Sequence, residues 1–327
     1  MKGNIFLTLV LSHFSLSVAS QCLNSCGCDL LPPVSGHRAA TQLTYQSNIY
    51  KPFSSEELTH ITGNDPVYSV RSQHSIQLLI SVPLRENIVI QAAFPFLFSM
   101  DNLEAFKHAD EQVHITAFGN ISGFGDATVQ AGYRFFSNAD SCFELTLLAG
   151  IKMPTGQREQ FSSDGLLAPL HLQAGSGSWD PLLQLWSEYQ NKHHRINFRI
   201  AFRKATTALN HNMGSSLHLS LTTLRAFRIP TSQSIRNVLL QGGMYLLAQQ
   251  RMSMPPYHHL SHAVAEQQLY PFSNSGHMRL MAAVGTGLQF RDEVRLPVQV
   301  LFPFYQRLQG QQVSLRWQLQ IGLDVKL

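Results

Sequence analysis

Hydrophobic and polar side chains alternate with a period of two residues along most of the chain. The last segment is the clearest: every second residue from Val313 to Leu327 is apolar, and those between are polar or glycine. A helix would instead place apolar residues three and four apart. The pattern therefore predicts β-strands with one apolar and one polar face.

Twelve segments show this alternation, and most of them run 11–15 residues. They are 38–51, 70–82, 87–97, 123–136, 141–152, 179–190, 194–204, 214–226, 237–249, 276–290, 294–307 and 311–327. Strands of soluble proteins average about 5–6 residues, whereas about 9–11 residues cross a bilayer at a tilt. The lengths favour an all-β fold, a single antiparallel transmembrane β-barrel of about 12 strands, with 10 or 14 as alternatives. The soluble alternative is an exported β-sandwich, which would have shorter strands.

The lengths of the connections support the barrel independently. If the N-terminus is periplasmic, the outward connections are 52–69, 98–122, 153–178, 205–213, 250–275 and 308–310. The inward connections are then 83–86, 137–140, 191–193, 227–236 and 291–293. Four of the six outward connections are long, and every inward one has ten residues or fewer. Short periplasmic turns and long outer loops are the rule for outer-membrane barrels.

Composition and charge exclude several other classes of protein. Charged residues make up 13% of the 327 residues, about half of the roughly 25% usual in soluble proteins. Low charge without low hydrophobicity is not typical of a disordered chain. The formal net charge is +4 without a basic run, so we expect no nucleic-acid partner.

The N-terminal residues predict export and three parts of the chain. Residues 1–20 resemble a cleaved signal peptide, with Lys2, a short apolar stretch and the small residues Val18-Ala19-Ser20. A Cys-rich periplasmic segment, 21–37, follows, and 38–327 is the predicted barrel. We therefore expect the protein in the outer membrane of a Gram-negative bacterium, in contact with outer-membrane lipid. The C-terminal residues Gln320 to Leu327 resemble the signal read by barrel-assembly machinery, although they end on Leu rather than an aromatic residue.

Charged residues on the polar faces of the strands are the candidates for contact with a solute in the lumen. These candidates are Arg134, Arg199, Arg203, Arg279, Arg316, Asp126 and Glu144. One interpretation is a solvated or internally paired wall. The other is a cationic track for anionic or aromatic solutes, since arginine binds carboxylates and stacks on rings.

The cysteines allow a disulfide or a metal site. Cys22, Cys26 and Cys28 lie within seven residues, and His37 follows. Crowded thiolates suit soft ions, so Cu or Zn is a possible cofactor, although the paired spacing of a structural zinc site is missing. Alternatively, Cys142, at a predicted periplasmic turn, pairs with one of the three. Without a metal we expect no cofactor.

Three glycine-rich patches occur in order in the middle of the chain. They are Gly123-Phe124-Gly125-Asp126-Ala127-Thr128 leading to Gly132-Tyr133-Arg134-Phe135, then Gly150-Ile151-Lys152-Met153-Pro154-Thr155-Gly156, then Leu172-Gln173-Ala174-Gly175-Ser176-Gly177-Ser178-Trp179-Asp180. In order and spacing this trio resembles the outer-membrane transporter family named for the meta-pathway of phenol degradation. The resemblance implies a barrel and a transport role tied to aromatic or hydrophobic solutes, and it implies no catalytic residue. The patches alone predict turns and bulges that shape the outer rim.

We therefore predict an outer-membrane channel or transporter for a small aromatic or hydrophobic solute. The alternatives are a metal-linked barrel whose N-terminal cysteines bind Cu or Zn, and a plugged structural barrel. An enzyme is not expected. His218 and Ser220 share one strand face, but a serine hydrolase also needs a group that orients the base, and the sequence identifies none.

Overall fold

The computed structural model describes residues 39–326 except for a set of short gaps. The gaps are 62–64, 108–111, 139–141, 162–164, 166, 169–171, 192–193, 209–210, 231–234, 255–269 and 291–292. The predicted signal peptide and the Cys-rich segment lie outside the described residues.

Eighteen strands and one short helix form within the described residues. The strands are β1 (Ala40–Lys51), β2 (Val67–Ser69), β3 (Ser72–Arg85), β4 (Ile88–Lys107), β5 (Val113–Phe124), β6 (Thr128–Asn138), β7 (Phe143–Lys152), β8 (Asp180–Gln190), β9 (His194–Arg203), β10 (Thr207–Ala208), β11 (His211–Asn212), β12 (Ser216–Arg228), β13 (Ile235–Gln249), β14 (Ser253–Met254), β15 (Tyr270–Pro271), β16 (His277–Phe290), β17 (Val294–Leu308) and β18 (Ser314–Lys326). The helix α1 (Ser55–Thr59) begins at Ser54, whose side chain forms a capping box with Glu57. Among these residues no helix is long and apolar enough to cross a membrane.

Twelve of the strands close into one antiparallel barrel. The order around the wall is β4-β3-β1-β18-β17-β16-β13-β12-β9-β8-β7-β6, and β6 pairs with β4 to complete the ring. The first and last strands meet along their whole length, from Ala40 opposite Lys326 to Lys51 opposite Ser314. The predicted fold class and strand number are confirmed, and each of the twelve alternating segments overlaps one barrel strand.

The connections differ in length between the two ends of the barrel. At one end, which we name the turn end, short links join β3 to β4, β8 to β9 and β16 to β17. At the other, the loop end, long segments follow β1, β7 and β13, and the end of β4 pairs with β5. By the rule for outer-membrane barrels, the turn end is periplasmic and the loop end faces outward.

One predicted loop is partly a hairpin. The segment 98–122 was expected to be an outward loop, but β4 continues to Lys107 and β5 pairs back against it, with Leu103 opposite Ala117. The register shifts between Ser99 and Asn102, and Asp101 has a φ of 54°. A bulge of this kind moves side chains to the other face, and this shift hid the alternation in the sequence.

The two faces of the wall have opposite character. Along β18, Gln318 and Gln320 point inward and are buried, whereas Trp317 and Ile321 are exposed on the outer face. The outer face carries a band of large exposed hydrophobic side chains. Examples are Phe94, Tyr133, Phe135, Trp179, Leu183, Phe202, Leu221, Leu240, Val284 and Phe302. Lipid imposes this arrangement on a barrel, with apolar residues on the outer face and polar residues on the inner face.

Candidate functional site: the barrel lumen

An apolar cluster lies in the loop-end half of the lumen, beside buried polar side chains that include Arg279, His277 and Gln249. Strands contribute inward-facing side chains, and the loops contribute others that cover them. The cluster comprises Tyr50, Tyr68, Val70, Phe118, Ile121, Ala168, Leu172, Met213, Tyr245, Leu247, Met252, Phe272, Met281, Ala283, Leu301, Val313 and Leu315. Met281 and Leu301 are 0% exposed, and the rings of Tyr68 and Phe272 lie 5.9 Å apart. Water is therefore excluded from the centre of this cluster.

A row of glutamines lies across the wall below the apolar cluster. Gln241 Nε2 donates to Gln299 Oε1 at 2.6 Å, and Gln299 in turn donates to Gln320. Gln320 Nε2 donates to Gln46 Oε1 at 3.4 Å. The register places all four at one height on β13, β17, β18 and β1. The row is an uncharged, hydrogen-bonded band around part of the lumen.

Gly285 makes the glutamine row continuous. It lies on β16 between Gln241 and Gln299 in register. A Cβ atom here would lie 2.7 Å from Gln299 Cβ and 2.5 Å from the carbonyl oxygen of Val298. Because glycine leaves this space open, the two glutamine side chains meet across the intervening strand.

Three arginines point into the lumen from alternate inward positions of β9. They are Arg195, Arg199 and Arg203. Arg195 Nε lies 3.1 Å from Glu188 Oε1, and Arg203 Nη1 lies 3.7 Å from Asp180 Oδ2. Arg199 donates a hydrogen bond to a glutamine of β8. These guanidinium groups all contact side chains of the neighbouring strand, so the wall is internally paired here.

The three glycine-rich patches meet at one buried ionic cluster, which we name the rim knot. Lys152 Nζ lies 2.7 Å from Asp126 Oδ2 and 3.2 Å from Asp180 Oδ2. It also contacts the hydroxyl of Ser176 and, at 3.2 Å, both the carbonyl and the hydroxyl of Ser178. The lysine side chain is 1% exposed. One cation thus joins residues from three separate parts of the chain.

The rim knot fastens the segment 153–179 to the wall. Asp126 Oδ1 accepts from the amide of Gly156 at 3.0 Å, and its Oδ2 accepts from the amide of Ser176 at 2.9 Å. The backbones of Gly156 and Gly175 are in direct contact, so a Cβ atom on either would collide with the other. Both ends of the segment are therefore held by a single carboxylate.

A cleft opens into the lumen at the turn end. The cleft has room for about one water molecule, and it is lined by Pro83, Arg85, Glu86, Asn87, Ile88, Val89, Arg134, Glu144, Thr146 and Trp186. Arg134 Nε lies 3.6 Å from Glu144 Oε2. Arg134, Thr146 and Trp186 lie in register on β6, β7 and β8. The cleft is therefore part of the inner wall.

The predicted solute contacts are placed at different heights. Arg199, Arg203 and Arg279 are buried on the inner wall, Asp126 belongs to the rim knot, and Arg134 and Glu144 line the cleft. Arg316 is exposed, where the register between β1 and β18 shifts. Their contact with a solute stays a prediction.

Several important residues were missed. Lys152 lies in the second glycine-rich patch, but the sequence assigns it no role. The glutamines of the row and Trp186 lie on the polar faces of their predicted strands, which was the one signal for them.

The predicted metal and disulfide sites cannot be placed in the same way. Cys22, Cys26, Cys28 and His37 lie outside the described residues. Cys142 is exposed at the turn end with a φ of 50°. These predictions, and that of Cu or Zn as a cofactor, stay open.

His218 and Ser220, which share one strand face, both lie on β12. The imidazole of His218 stacks on the ring of Tyr245 with 6.1 Å between centroids. Within the described part of the chain, its Nε2 has no hydrogen-bond partner.

Solved structures with the same architecture are outer-membrane barrels. An outer membrane channel from Pseudomonas putida F1 superposes with a TM-score of 0.56 at 13% identity, covering 91% of this chain and 97% of that one. A mutant of the TodX monoaromatic hydrocarbon channel gives a TM-score of 0.46 at 10% identity, covering 97% of this chain and 99% of that one. A FadL homologue from Pseudomonas aeruginosa gives 0.38 at 9% identity, covering 96% and 99%.

The fold and the lipid-facing band define an outer-membrane β-barrel, as predicted. At these identities the likeness concerns the fold. No protein-family model matches the sequence, and no curated protein matches it either. The resemblance to the phenol-pathway transporters therefore stays a prediction.

Proposed function

We propose that this barrel is an outer-membrane channel for small hydrophobic or aromatic solutes. The observation that carries the proposal is the closed apolar cluster in the loop-end half of the lumen. The fold of the Pseudomonas putida channel supports a channel role, and the resemblance of the three glycine-rich patches to the phenol-pathway family supports the solute class.

The apolar cluster would discriminate between solutes by the free energy of transferring each one out of water. An ion that entered it would exchange water for aliphatic and aromatic contacts, at a cost of several kcal/mol. An apolar solute would instead gain about 25 cal/mol for each Å² of surface that it buries. Passage requires loop side chains such as Tyr68 and Phe272 to move aside, since the cluster is closed around Met281. Below the cluster, the neutral glutamine row would offer hydrogen bonds without attracting ions.

The test is uptake of a hydrophobic probe by intact Gram-negative cells that express the protein. N-phenyl-1-naphthylamine fluoresces once it passes the lipopolysaccharide layer and reaches phospholipid. We expect faster uptake with the wild-type barrel than with the empty vector. The variant Met281→Asp should slow it at least tenfold, because a carboxylate placed in the cluster carries water with it. The matched control Met281→Leu keeps the cluster apolar and should retain uptake.

Conductance in planar bilayers separates this proposal from the alternatives. A hydrophobic channel predicts little ion current, because the cluster excludes water. Steady conductance in the wild type would contradict the proposal and indicate a water-filled pore. No uptake and no conductance would indicate the plugged structural barrel. Uptake lost in the Cys22, Cys26 and Cys28 to Ser variant, with folding intact, would favour the metal-linked alternative.

A further inference from the structure

Two arginines project from the outer face of the barrel at its loop end. Arg307 lies near the end of β17, opposite Met278, whose side chain is exposed on the outer face. Arg316 lies at the bulge where β18 shifts register against β1, between the inward-facing Leu315 and the outward-facing Trp317. Both arginine side chains are exposed. They therefore point away from the lumen, in contrast to the buried arginines of β9.

A side-chain bridge between β17 and β18 brings the two arginines together. Gln306 Nε2 donates to the carbonyl oxygen of Leu315 at 2.8 Å, and the amide of Leu315 donates to Gln306 Oε1 at 3.0 Å. Arg307 follows the glutamine in the chain, and Arg316 follows the leucine. The two guanidinium groups therefore extend from adjoining positions on neighbouring strands.

The height of the arginines matches the headgroup level of the outer leaflet. The lipid-facing side chains of β17 are apolar or aromatic from Leu296 to Tyr305, and Arg307 follows them on the same face. With a rise of about 3.3 Å per residue and a tilt of about 40°, this stretch covers about 20–23 Å. The apolar band of an outer-membrane barrel is about 25 Å tall. Arg307 therefore lies where the hydrocarbon ends.

Aromatic side chains form the lipid-facing surface next to the arginines. Phe302, Phe304, Tyr305 and Trp317 are all exposed on the outer face. Aromatic residues at this level form the interfacial girdle of a barrel, where their rings contact both acyl chains and headgroups. The surface thus combines a cationic edge with an apolar flank, which fits an amphiphile with an anionic headgroup.

We propose that Arg307 and Arg316 bind a phosphate on the glucosamine headgroup of lipopolysaccharide, the glycolipid of the outer leaflet. A guanidinium matches the geometry of phosphate and can donate two parallel hydrogen bonds to it. Lys51, exposed on β1 opposite Ser314, adds a third cation. Because Lys51 also interacts electrostatically with Glu57 of α1, the two arginines carry the site. The proposal assigns Arg316 to the lipid face of the barrel.

The test is native mass spectrometry of the refolded full-length barrel, titrated with deep-rough lipopolysaccharide in detergent. The double variant Arg307→Gln/Arg316→Gln should weaken binding roughly 5- to 30-fold, the usual effect of two cations near an anionic membrane surface. Lipopolysaccharide whose phosphates have been removed should bind the wild type with a similarly weakened affinity. This second comparison needs no variant to fold. Equal affinities for the two forms of the lipid would overturn the proposal.

The matched control removes the same charge at the opposite end of the barrel. Arg225 and Arg228 are exposed at the turn end of β12, and Arg225 lies opposite the outward-facing Leu240. The variant Arg225→Gln/Arg228→Gln should bind lipopolysaccharide as the wild type does. An equal loss in both double variants would indicate attraction by overall charge and contradict a site at the loop end. Heat-modifiable electrophoresis checks that each variant is folded.

Phosphatidylglycerol distinguishes the glycolipid from other anionic lipids. It carries one phosphate and lacks the glucosamine headgroup, so it should bind more weakly than lipopolysaccharide and depend less on Arg307 and Arg316. If it binds as tightly and loses as much affinity in the double variant, the site accepts any anionic headgroup, and its assignment to lipopolysaccharide is wrong.

Discussion

Removing the cation of the rim knot should release the loop-end segment 153–179. Lys152 is surrounded by two carboxylates, two hydroxyls and a carbonyl, with almost no access to solvent. The variant Lys152→Met keeps an aliphatic side chain of similar length and deletes the charge. Asp126 and Asp180 are then left buried, with Arg203 as the remaining cation, 3.7 Å from Asp180.

The size of the effect follows from the imbalance of charge. Two carboxylates and two cations face each other in the wild type, and the variant leaves one carboxylate uncompensated. Removing one partner of a buried ion pair destabilises the folded state by about 3–5 kcal/mol. Part of this free energy is regained when the segment detaches from the wall, because the carboxylate of Asp126 is then hydrated. A cost of about 3 kcal/mol corresponds to a rise of roughly a hundredfold in the detached population.

Proteolysis at Arg158 measures that population. Arg158 is exposed within the segment, and it packs against Gly177 near the knot. An arginine-specific protease is used because the substitution of a lysine does not alter its sites. Cleavage tracks the open population when opening and closing are fast. We therefore expect cleavage at Arg158 to accelerate by one to two orders of magnitude.

Two further variants complete this experiment. Lys204, exposed at the end of β9 on the same rim, gives the matched control Lys204→Met, which should be cut at the wild-type rate. Adding Asp126→Asn to Lys152→Met removes the stranded charge and should slow cleavage again. If Lys152→Met is cut no faster than Lys204→Met, the rim knot does not hold the segment.

Two further predictions concern the lumen and the outer loop. Gly285→Leu should lower the free energy of unfolding by about 1–3 kcal/mol, because the new side chain collides with Gln299. In urea titrations the control Gly242→Leu should stay near wild type, since its Cβ would have no neighbour closer than 3.8 Å. Hydrogen bonds from the backbone amide and then the hydroxyl of Ser54 lower the pKa of Glu57. The ionised carboxylate therefore stabilises α1 fully above the ordinary glutamate pKa. This stabilisation is lost as the pH falls through the lowered pKa of Glu57. A carbon-13 NMR titration should show a midpoint that rises again in Ser54→Ala, and an unchanged midpoint would contradict the capping box.

Alternation was sufficient to predict the wall of the barrel because lipid imposes it directly. Each lipid-facing residue must be apolar, and the neighbouring residue on the other face is free to be polar. Leu148 was an exception to the pattern, and it proves to be fully buried on the inner wall beside Gly132. Past Met100, where β3 no longer pairs with β4, the β4–β5 hairpin extends beyond the wall, and no lipid enforces the alternation there. The bulge near Asp101 also shifts the alternation by one residue.

The site was less predictable, because it depends on which strands meet. Asp126, Lys152 and Ser176 stand in three patches whose contact is set by the pairing of β6, β7 and β8 and by the return of the loop. The alternation does place Trp186 on the polar face of its strand. It does not show which side chains surround the indole, since those come from four other strands.

The seam between β1 and β18 sets the order of events during assembly. Ala40 pairs with Lys326, so β1 cannot form its pairing with β18 until β18 has been synthesised. Until then, both strands present open edges of unpaired amide and carbonyl groups, the kind of edge that recruits other strands. Contacts so distant along the chain are also slow to form. The protein therefore passes through a stage at which it is most prone to aggregate, just before it becomes most stable.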